Sequence, residues 1–137
     1  MINYLTILIP AYNEESSIVQ TLNDYSKFFP SANFVVIDNN SNDKTYEIVS
    51  KYIDDNHRTN IELFTERTQG KASAIKSALM KKRSSWWIMT DADNTYPARD
   101  MLALFEYVNK NKLNHGVLDR LTKNSYINKG RIKTFIH

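Results

Sequence analysis

Tyr4-Leu-Thr-Ile-Leu-Ile-Pro-Ala-Tyr-Asn-Glu14 is a near-continuous apolar run that breaks at a proline into polar residues. Its first six residues show no alternation of apolar and polar side chains, so they read as a strand buried on both faces. Beyond it, Asn13 precedes two glutamates, a helix-start signal, and Ile18, Leu22, Tyr25 and Phe29 recur at helical spacing. The same unit of strand, polar loop and helix returns three times. Phe34–Ile37, Ile61–Phe64 and Trp86–Met89 read as strands, likewise too continuously apolar to have one wet face. Apolar stripes follow at Ile48, Tyr52 and Ile53, at Ala72, Ile75 and Leu79, and at Met101, Leu102, Phe105 and Val108. Asp43 and Pro97 mark two of the helix starts. Gly116–Leu118 fits a short fifth strand. Four alternations predict an α/β chain with a parallel sheet and right-handed crossovers. Ligands of such sheets bind beyond the carboxyl ends of the strands. That rule selects four loops: Pro10–Glu14, Asp38–Asp43, Thr65–Lys71 and Thr90–Tyr96.

Composition narrows the class. A chain of 137 residues and 16.0 kDa predicts one domain. With 42% hydrophobic and 24% charged residues, it is neither disordered, collagen-like nor a coiled-coil rod. The absence of cysteine excludes a disulfide scaffold, a thiol nucleophile and Cys-ligated zinc, and is compatible with the cytoplasm. No stretch approaches the ~18 apolar residues of a membrane span. The first apolar run lacks a basic leader and meets Glu14 and Glu15, so no signal peptide is expected. The net charge of +3 hides an asymmetry: residues 1–65 carry 4 basic and 9 acidic side chains, residues 66–137 carry 14 and 6. A basic C-terminal half is either a solvated face or suited to an anionic partner, such as a diphosphate, a phospholipid surface or nucleic acid.

The fourth loop carries the clearest chemistry. Trp86-Trp-Ile-Met-Thr-Asp91-Ala-Asp93 sets two carboxylates, two positions apart, at the end of a buried strand. Hard oxygen ligands at a sheet rim favour Mg²⁺ or Mn²⁺, which keeps waters and grips substrate phosphates. The alternative is that Asp91 or Asp93 caps the next helix or orders a turn. In the second loop, Asp38 and Asn39 can accept from a nucleobase N–H, Asp43 can cap a helix, and Asn40 suits a left-handed backbone position; Asx-rich loops also simply turn the chain. In the third, Gly70 and Lys71 precede a helix, and free amides with a cation make a diphosphate site. It is not a P-loop: position 65 is Thr and Ala72 follows the lysine. No Gly-x-Gly-x-x-Gly occurs. In the first loop, Glu14 either caps a helix or bonds a ribose hydroxyl. His57, His115 and His137 are dispersed, without metal-ligand spacing.

These four loops in this order resemble the nucleotide-binding half of a family 2 glycosyltransferase of GT-A fold, in particular its dolichol-phosphate-mannose-synthase-like, polyprenyl-phosphate branch. The matching residues are Ile7-Leu-Ile-Pro-Ala-Tyr-Asn-Glu14, Val36-Ile-Asp-Asn-Asn-Ser-Asn-Asp-Lys-Thr45, Gly70-Lys71, and Asp91-Ala-Asp93 with Tyr96-Pro97. Gly116-Val-Leu-Asp-Arg120 is similar to the family's next strand. The motifs are short; their order and spacing make the set specific.

The resemblance implies a Rossmann-like, mostly parallel sheet flanked by helices. It makes the chain one domain over 1–137, with the donor half at 1–108 and the start of an acceptor region at 109–137. Family members continue well beyond that point, so the acceptor half is expected to be incomplete here. It implies that Pro10, Ala11, Tyr12 and Glu14 line the nucleotide site, with Asp38 and Asn39 near the base. Lys71, Ala92 and Arg120 lie toward the donor. Asp91 and Asp93, the DxD motif, are the catalytic pair and hold the metal. Departures are Asn39 for a second acid, Thr95 for a glutamine used by some relatives, and Ala72 for a glycine.

The expected activity is inverting transfer of a sugar from a GDP- or UDP-linked donor to a polyprenyl phosphate or a cell-envelope glycan, with Mg²⁺ or Mn²⁺. No residue pattern marks a general base, which favours a phosphate acceptor, already an anionic nucleophile. Implied partners also include a membrane surface at the cytoplasmic inner face and a second copy of the chain, but no nucleic acid. One alternative is a donor-binding domain that does not transfer. Another is a haloacid-dehalogenase-type phosphatase, because Asp91-Ala-Asp93-Asn-Thr95 matches that nucleophile motif. The acids after Thr95 are Asp100, Glu106 and Asp119, with no adjacent pair to complete it.

Overall fold

Four strands and four helices alternate along the chain in a computed structural model that describes residues 3–118. They are β1 (Asn3–Ala11), α1 (Ile18–Phe28), β2 (Asn33–Asp38), α2 (Thr45–Asp55), β3 (Ile61–Thr65), α3 (Lys71–Lys81), β4 (Ser84–Met89) and α4 (Ala98–Lys110). The strands form one sheet in the order β3-β2-β1-β4, and every pairing is parallel. The α/β class and the four strand positions agree with the pattern of apolar runs. Contacts divide the chain into two compact units, Met1–Thr95 and Tyr96–His137, so the sheet with α1 to α3 lies in the first and α4 in the second.

The central pair explains the continuous apolar runs. Pairing sets Ile7 against Phe34, Leu8 against Val35 and Ile9 against Val36. All six are 2% exposed or less. Each such burial contributes about 1.5–3 kcal/mol. The crossovers through α1 and α2 run one way along the sheet, and that through α3 runs back. Right-handed connections therefore put α3 on the opposite face from α1 and α2. On the α3 face Leu8, Val35 and Ile37 pack with Ala74 and Ala78. By strand alternation Ile7, Ile9 and Val36 point the other way.

Several expectations need correction. The runs Ile61–Phe64 and Trp86–Met89 are not buried on both faces: Glu62 and Met89 are exposed, because β3 and β4 are the edges of the described sheet. Helix α1 begins at Ile18, not near Asn13, whose φ of 54° is left-handed. On α2 the fully buried residues are Thr45 and Val49, while Ile48 is half-buried. On α3 the inward positions are Ala74 and Ala78, whereas Ala72 is exposed and Leu79 is 48% exposed. Small residues let that helix approach β1 and β2 closely. On α4 Leu104 is buried, while Leu102 and Phe105 are half-buried. Gly116–Leu118 contributes an isolated bridge at Val117 rather than a strand. Gly116 is nonetheless constrained, since a Cβ there would lie 2.6 Å from Val108 Cγ2. Among the described residues no helix is long and apolar enough to cross a membrane.

Candidate functional site

Sequence order along the sheet reverses between β1 and β4, and α/β sheets bind ligands at that switch point, beyond the strands' carboxyl ends. A cleft of about 190 Å³ lies there, lined by Pro10, Ala11, Tyr12, Glu14, Asn39, Lys71, Asp91, Ala92 and Asp93. The structure thus brings together nine sequence-nominated positions, from the β1, β2 and β4 loops and the start of α3. Asp38 is set just below, 4% exposed at the end of β2. Arg120 lies outside the described residues. Larger hollows of about 400 Å³ beside Asn33 and about 440 Å³ along α2 share no lining residue with that cleft.

Cross-loop hydrogen bonds shape the floor. The Asn13 amide donates to Ser41 Oγ at 3.0 Å, and Asn13 Oδ1 accepts from the Asn42 amide at 2.8 Å. The Glu14 amide donates to the buried Thr45 hydroxyl at 2.8 Å. Asp43 accepts from the Glu15 amide through one oxygen and the Thr45 amide through the other, at 3.1 and 2.9 Å. It therefore ties two loops together and bonds the first amide of α2. Desolvation raises the Asp43 carboxyl, but hydrogen bonds from the Thr45 hydroxyl and the Thr45 and Glu15 amides outweigh it and hold the group below its ordinary value. Glu14 faces the start of α1: its carboxylate accepts from Ser17 Oγ at 2.7 Å and its carbonyl from the Ile18 amide at 3.0 Å.

Asn39 has a different occupation from the one its sequence context suggests. Its side-chain NH₂ donates to the carbonyls of Glu66 and Thr68 at 2.9 and 2.8 Å, and its Oδ1 accepts from the Gly70 amide at 2.8 Å. Its own carbonyl accepts from Gln69 Nε2 at 2.9 Å. A residue read as a base contact is thus committed to bracing the third loop. Asn40, by contrast, takes the expected left-handed conformation at φ 59°. Sequence reasoning missed Thr45, Ser41 and Gln69 as loop braces; the signal was a run of short polar side chains on adjacent strand ends.

The neighbouring Asp38 carboxylate is only half used. Oδ2 accepts from the Ser41 amide at 3.4 Å, and Oδ1 is buried without a partner among the described residues. Such an atom calls for a donor. At Gly70 the backbone has φ 124°, which a side chain would strain although nothing stands within 4 Å of a Cβ. That turn starts α3 at Lys71, whose ammonium pairs with Asp91. Asp93 is exposed and accepts from the Thr95 amide at 3.0 Å.

The donor set suits one kind of metal. Among the described residues no group of three or more His, Asp or Glu is placed to hold an ion. Two hard carboxylates at a cleft mouth instead fit Mg²⁺ or Mn²⁺ that takes its remaining ligands from phosphate oxygens and water. Lys71 beside Asp91 fits the same anionic ligand.

Comparison with known proteins bears on the family and the fold. The model of the family described as Glycosyl transferase family 2 matches residues 6–134. A dolichyl-phosphate beta-glucosyltransferase of Dictyostelium discoideum is 29% identical over 117 residues, covering 78% of this chain and 36% of its own length. Protein RfbJ of Shigella flexneri is 26% identical over 109 residues, covering 80% of this chain and 79% of its own. Among solved structures, a mannosyltransferase of Pyrobaculum calidifontis in complex with GDP-Man and Mn²⁺ superposes with a TM-score of 0.69 at 26% identity, over 79% of this chain and 33% of that one. The chain therefore spans about a third of the length of the glucosyltransferase and the mannosyltransferase.

Proposed function

The chain belongs to glycosyl transferase family 2, and on that premise we propose that its cleft binds a nucleoside-diphosphate sugar for metal-assisted transfer to a lipid phosphate. The observation that carries the reading is the convergence of Asp91, Asp93 and Lys71 on one cleft at the switch point, with a half-satisfied carboxylate at Asp38 beside it. In this reading Asp38 Oδ1 accepts from a base N–H, and the backbone of Pro10 to Tyr12 flanks the nucleoside. Asn39 holds the third loop in place for it. Glu14 orders the entry to α1. Lys71, at a helix N-terminus, leaves Asp91 to meet the donor diphosphate.

Asp91 and Asp93 would hold Mg²⁺ or Mn²⁺, which when bound supplies Lewis-acid stabilisation of the leaving diphosphate. The acceptor oxygen forms its bond to the anomeric carbon from the face opposite the diphosphate. The carbon–oxygen bond to the diphosphate breaks, and its electron pair leaves with the nucleoside diphosphate, so configuration inverts. A phosphate acceptor attacks as an anion and needs no proton removed. Lys71 and the α3 N-terminus face the charge that develops on the leaving group. The dolichyl-phosphate glucosyltransferase relative supports the lipid-phosphate acceptor, and the GDP-Man and Mn²⁺ of the mannosyltransferase support the donor and metal.

Calorimetric titration with GDP-mannose and UDP-GlcNAc in the presence of Mn²⁺ tests the reading. Asp93→Ala is expected to abolish metal-dependent binding of whichever donor the unaltered protein takes; unchanged binding refutes it. Because the chain spans about a third of the glucosyltransferase, binding without transfer is the second reading. Labelled donor with a polyprenyl phosphate separates the two, since turnover eliminates binding alone.

A further inference from the structure

Thr90 and Ala92 flank Asp91, and both are buried, at 1% and 2% exposure. Helix α1 holds this loop from across the fold. The Tyr25 hydroxyl donates to Thr90 Oγ1 at 2.7 Å, and Thr21 Oγ1 donates to the Ala92 carbonyl at 2.8 Å. Asn94 Nδ2 donates to the Asp24 carboxylate at 2.7 Å. Positions 90, 92 and 94 are thus each tied to α1, while Asp91 and Asp93 between them line the cleft. The alternation resembles a strand with one face anchored and the other presented.

Thr21, Asp24 and Tyr25 stand at i, i+3 and i+4, which puts them on one helix face. Thr21 and Tyr25 are fully buried. Packing alone would be served as well by Val and Phe, and buried hydroxyls cost desolvation unless bonded. Here all three polar groups reach one loop some seventy residues away, and the Thr21 hydroxyl lies closer to the Ala92 carbonyl, at 2.8 Å, than to the Ser17 carbonyl of its own helix, at 3.2 Å. Asn94 holds the left-handed turn at φ 59° that ends the loop.

We infer that α1 is a positioning element of the site, and that Thr21, Asp24 and Tyr25 are positioning residues that aim Asp91 and Asp93 into the cleft. The inference rests on the donor-binding reading of those two aspartates. A carboxylate pair meeting a charged ligand gains most when its directions are set beforehand. The three bonds supply that setting, from a helix none of whose residues lines the cleft.

The test uses Tyr25→Phe, Thr21→Val and the conservative Thr21→Ser. Tyr52→Phe is the control, because its hydroxyl donates to Asn23 at 2.8 Å, away from the loop. Amide hydrogen exchange is measured on the protein without ligand, and affinity for GDP-mannose and UDP-GlcNAc with Mn²⁺ by calorimetry. Tyr25→Phe and Thr21→Val are expected to speed exchange selectively at residues 90–94. They should also weaken donor binding about five- to tenfold, the equivalent of one hydrogen bond. Thr21→Ser is expected to keep both near the unaltered values, and Tyr52→Phe to lower Tm without moving either. If the tyrosine variants behave alike in loop exchange and affinity, α1 merely stabilises the fold and the inference falls. Asp93→Ala separates the two ideas: undiminished donor binding there overturns the donor reading, while the exchange result judges the brace by itself.

Discussion

Asn39→Asp changes one atom type, NH₂ to oxygen, at a 4% exposed position, and the expected cost is large. The substitution removes two donated hydrogen bonds, to the Glu66 and Thr68 carbonyls, at about 1 kcal/mol each. It also turns a desolvated carboxylate oxygen toward those two carbonyls, adding about 1–3 kcal/mol. The bond from the Gly70 amide survives. The total at neutral pH is about 3–5 kcal/mol, at least a hundredfold in the folding equilibrium. The penalty depends on protonation. Burial and two facing carbonyls raise the folded pKa of the new carboxyl above its unfolded value. Its cost is therefore small below the unfolded value, near pH 3.9, and grows as pH rises toward the folded one. Denaturant unfolding of the two proteins at neutral pH and near pH 4 measures this. The stability gap should narrow at the lower pH. An unchanged midpoint at neutral pH, or a gap independent of pH, would refute the assignment of Asn39 as the brace of the third loop.

Gly70→Ala forces a side chain into φ 124° with open space around it, so only backbone strain is at issue; a loss of about 1–3 kcal/mol in chemical denaturation is expected. Lys71→Met is expected to shift Tm by no more than a degree or two, because its pair with Asp91 is 54% and 24% exposed. The same variant should weaken donor binding measured by calorimetry, since the ammonium is assigned to the diphosphate. Asp43 has a folded pKa held below its unfolded value. Its contribution is thus present above the unfolded value and lost as pH falls through the folded one. Unfolding midpoints of Asp43→Asn and the unaltered protein should differ by a constant amount above about pH 5 and converge below about pH 4.

The strands were legible because β1 and β2 are buried on both faces and their apolar runs are unbroken. The two edge strands misled for the same reason: Trp86–Met89 is as apolar as β1, and composition does not say that a strand lacks a neighbour among the described residues. Helix α3 was misread in part: Ile75 packs against the core as its spacing suggests, but Ala72 and Leu79 of the same stripe are exposed. The close approach to Leu8, Val35 and Ile37 selects Ala74 and Ala78 instead. In the site, positions were legible and occupations were not. Asp91, Asp93 and Lys71 converge as their loops suggest. Asn39, however, meets partners 27 to 31 residues away, which no local pattern reveals. Tyr25 was readable as a buried member of an apolar stripe, but the destination of its hydroxyl was not. The left-handed Asn40 was readable because its conformational tolerance belongs to the residue itself.

A crystal of the protein grown with Mn²⁺ and a nucleoside-diphosphate sugar, with the metal located by its anomalous signal, tests the central claim most directly. The account predicts a manganese peak between the Asp91 and Asp93 carboxylates and the donor diphosphate, with Lys71 turned from Asp91 to phosphate. A peak bound elsewhere, or a donor that touches neither aspartate, would contradict it.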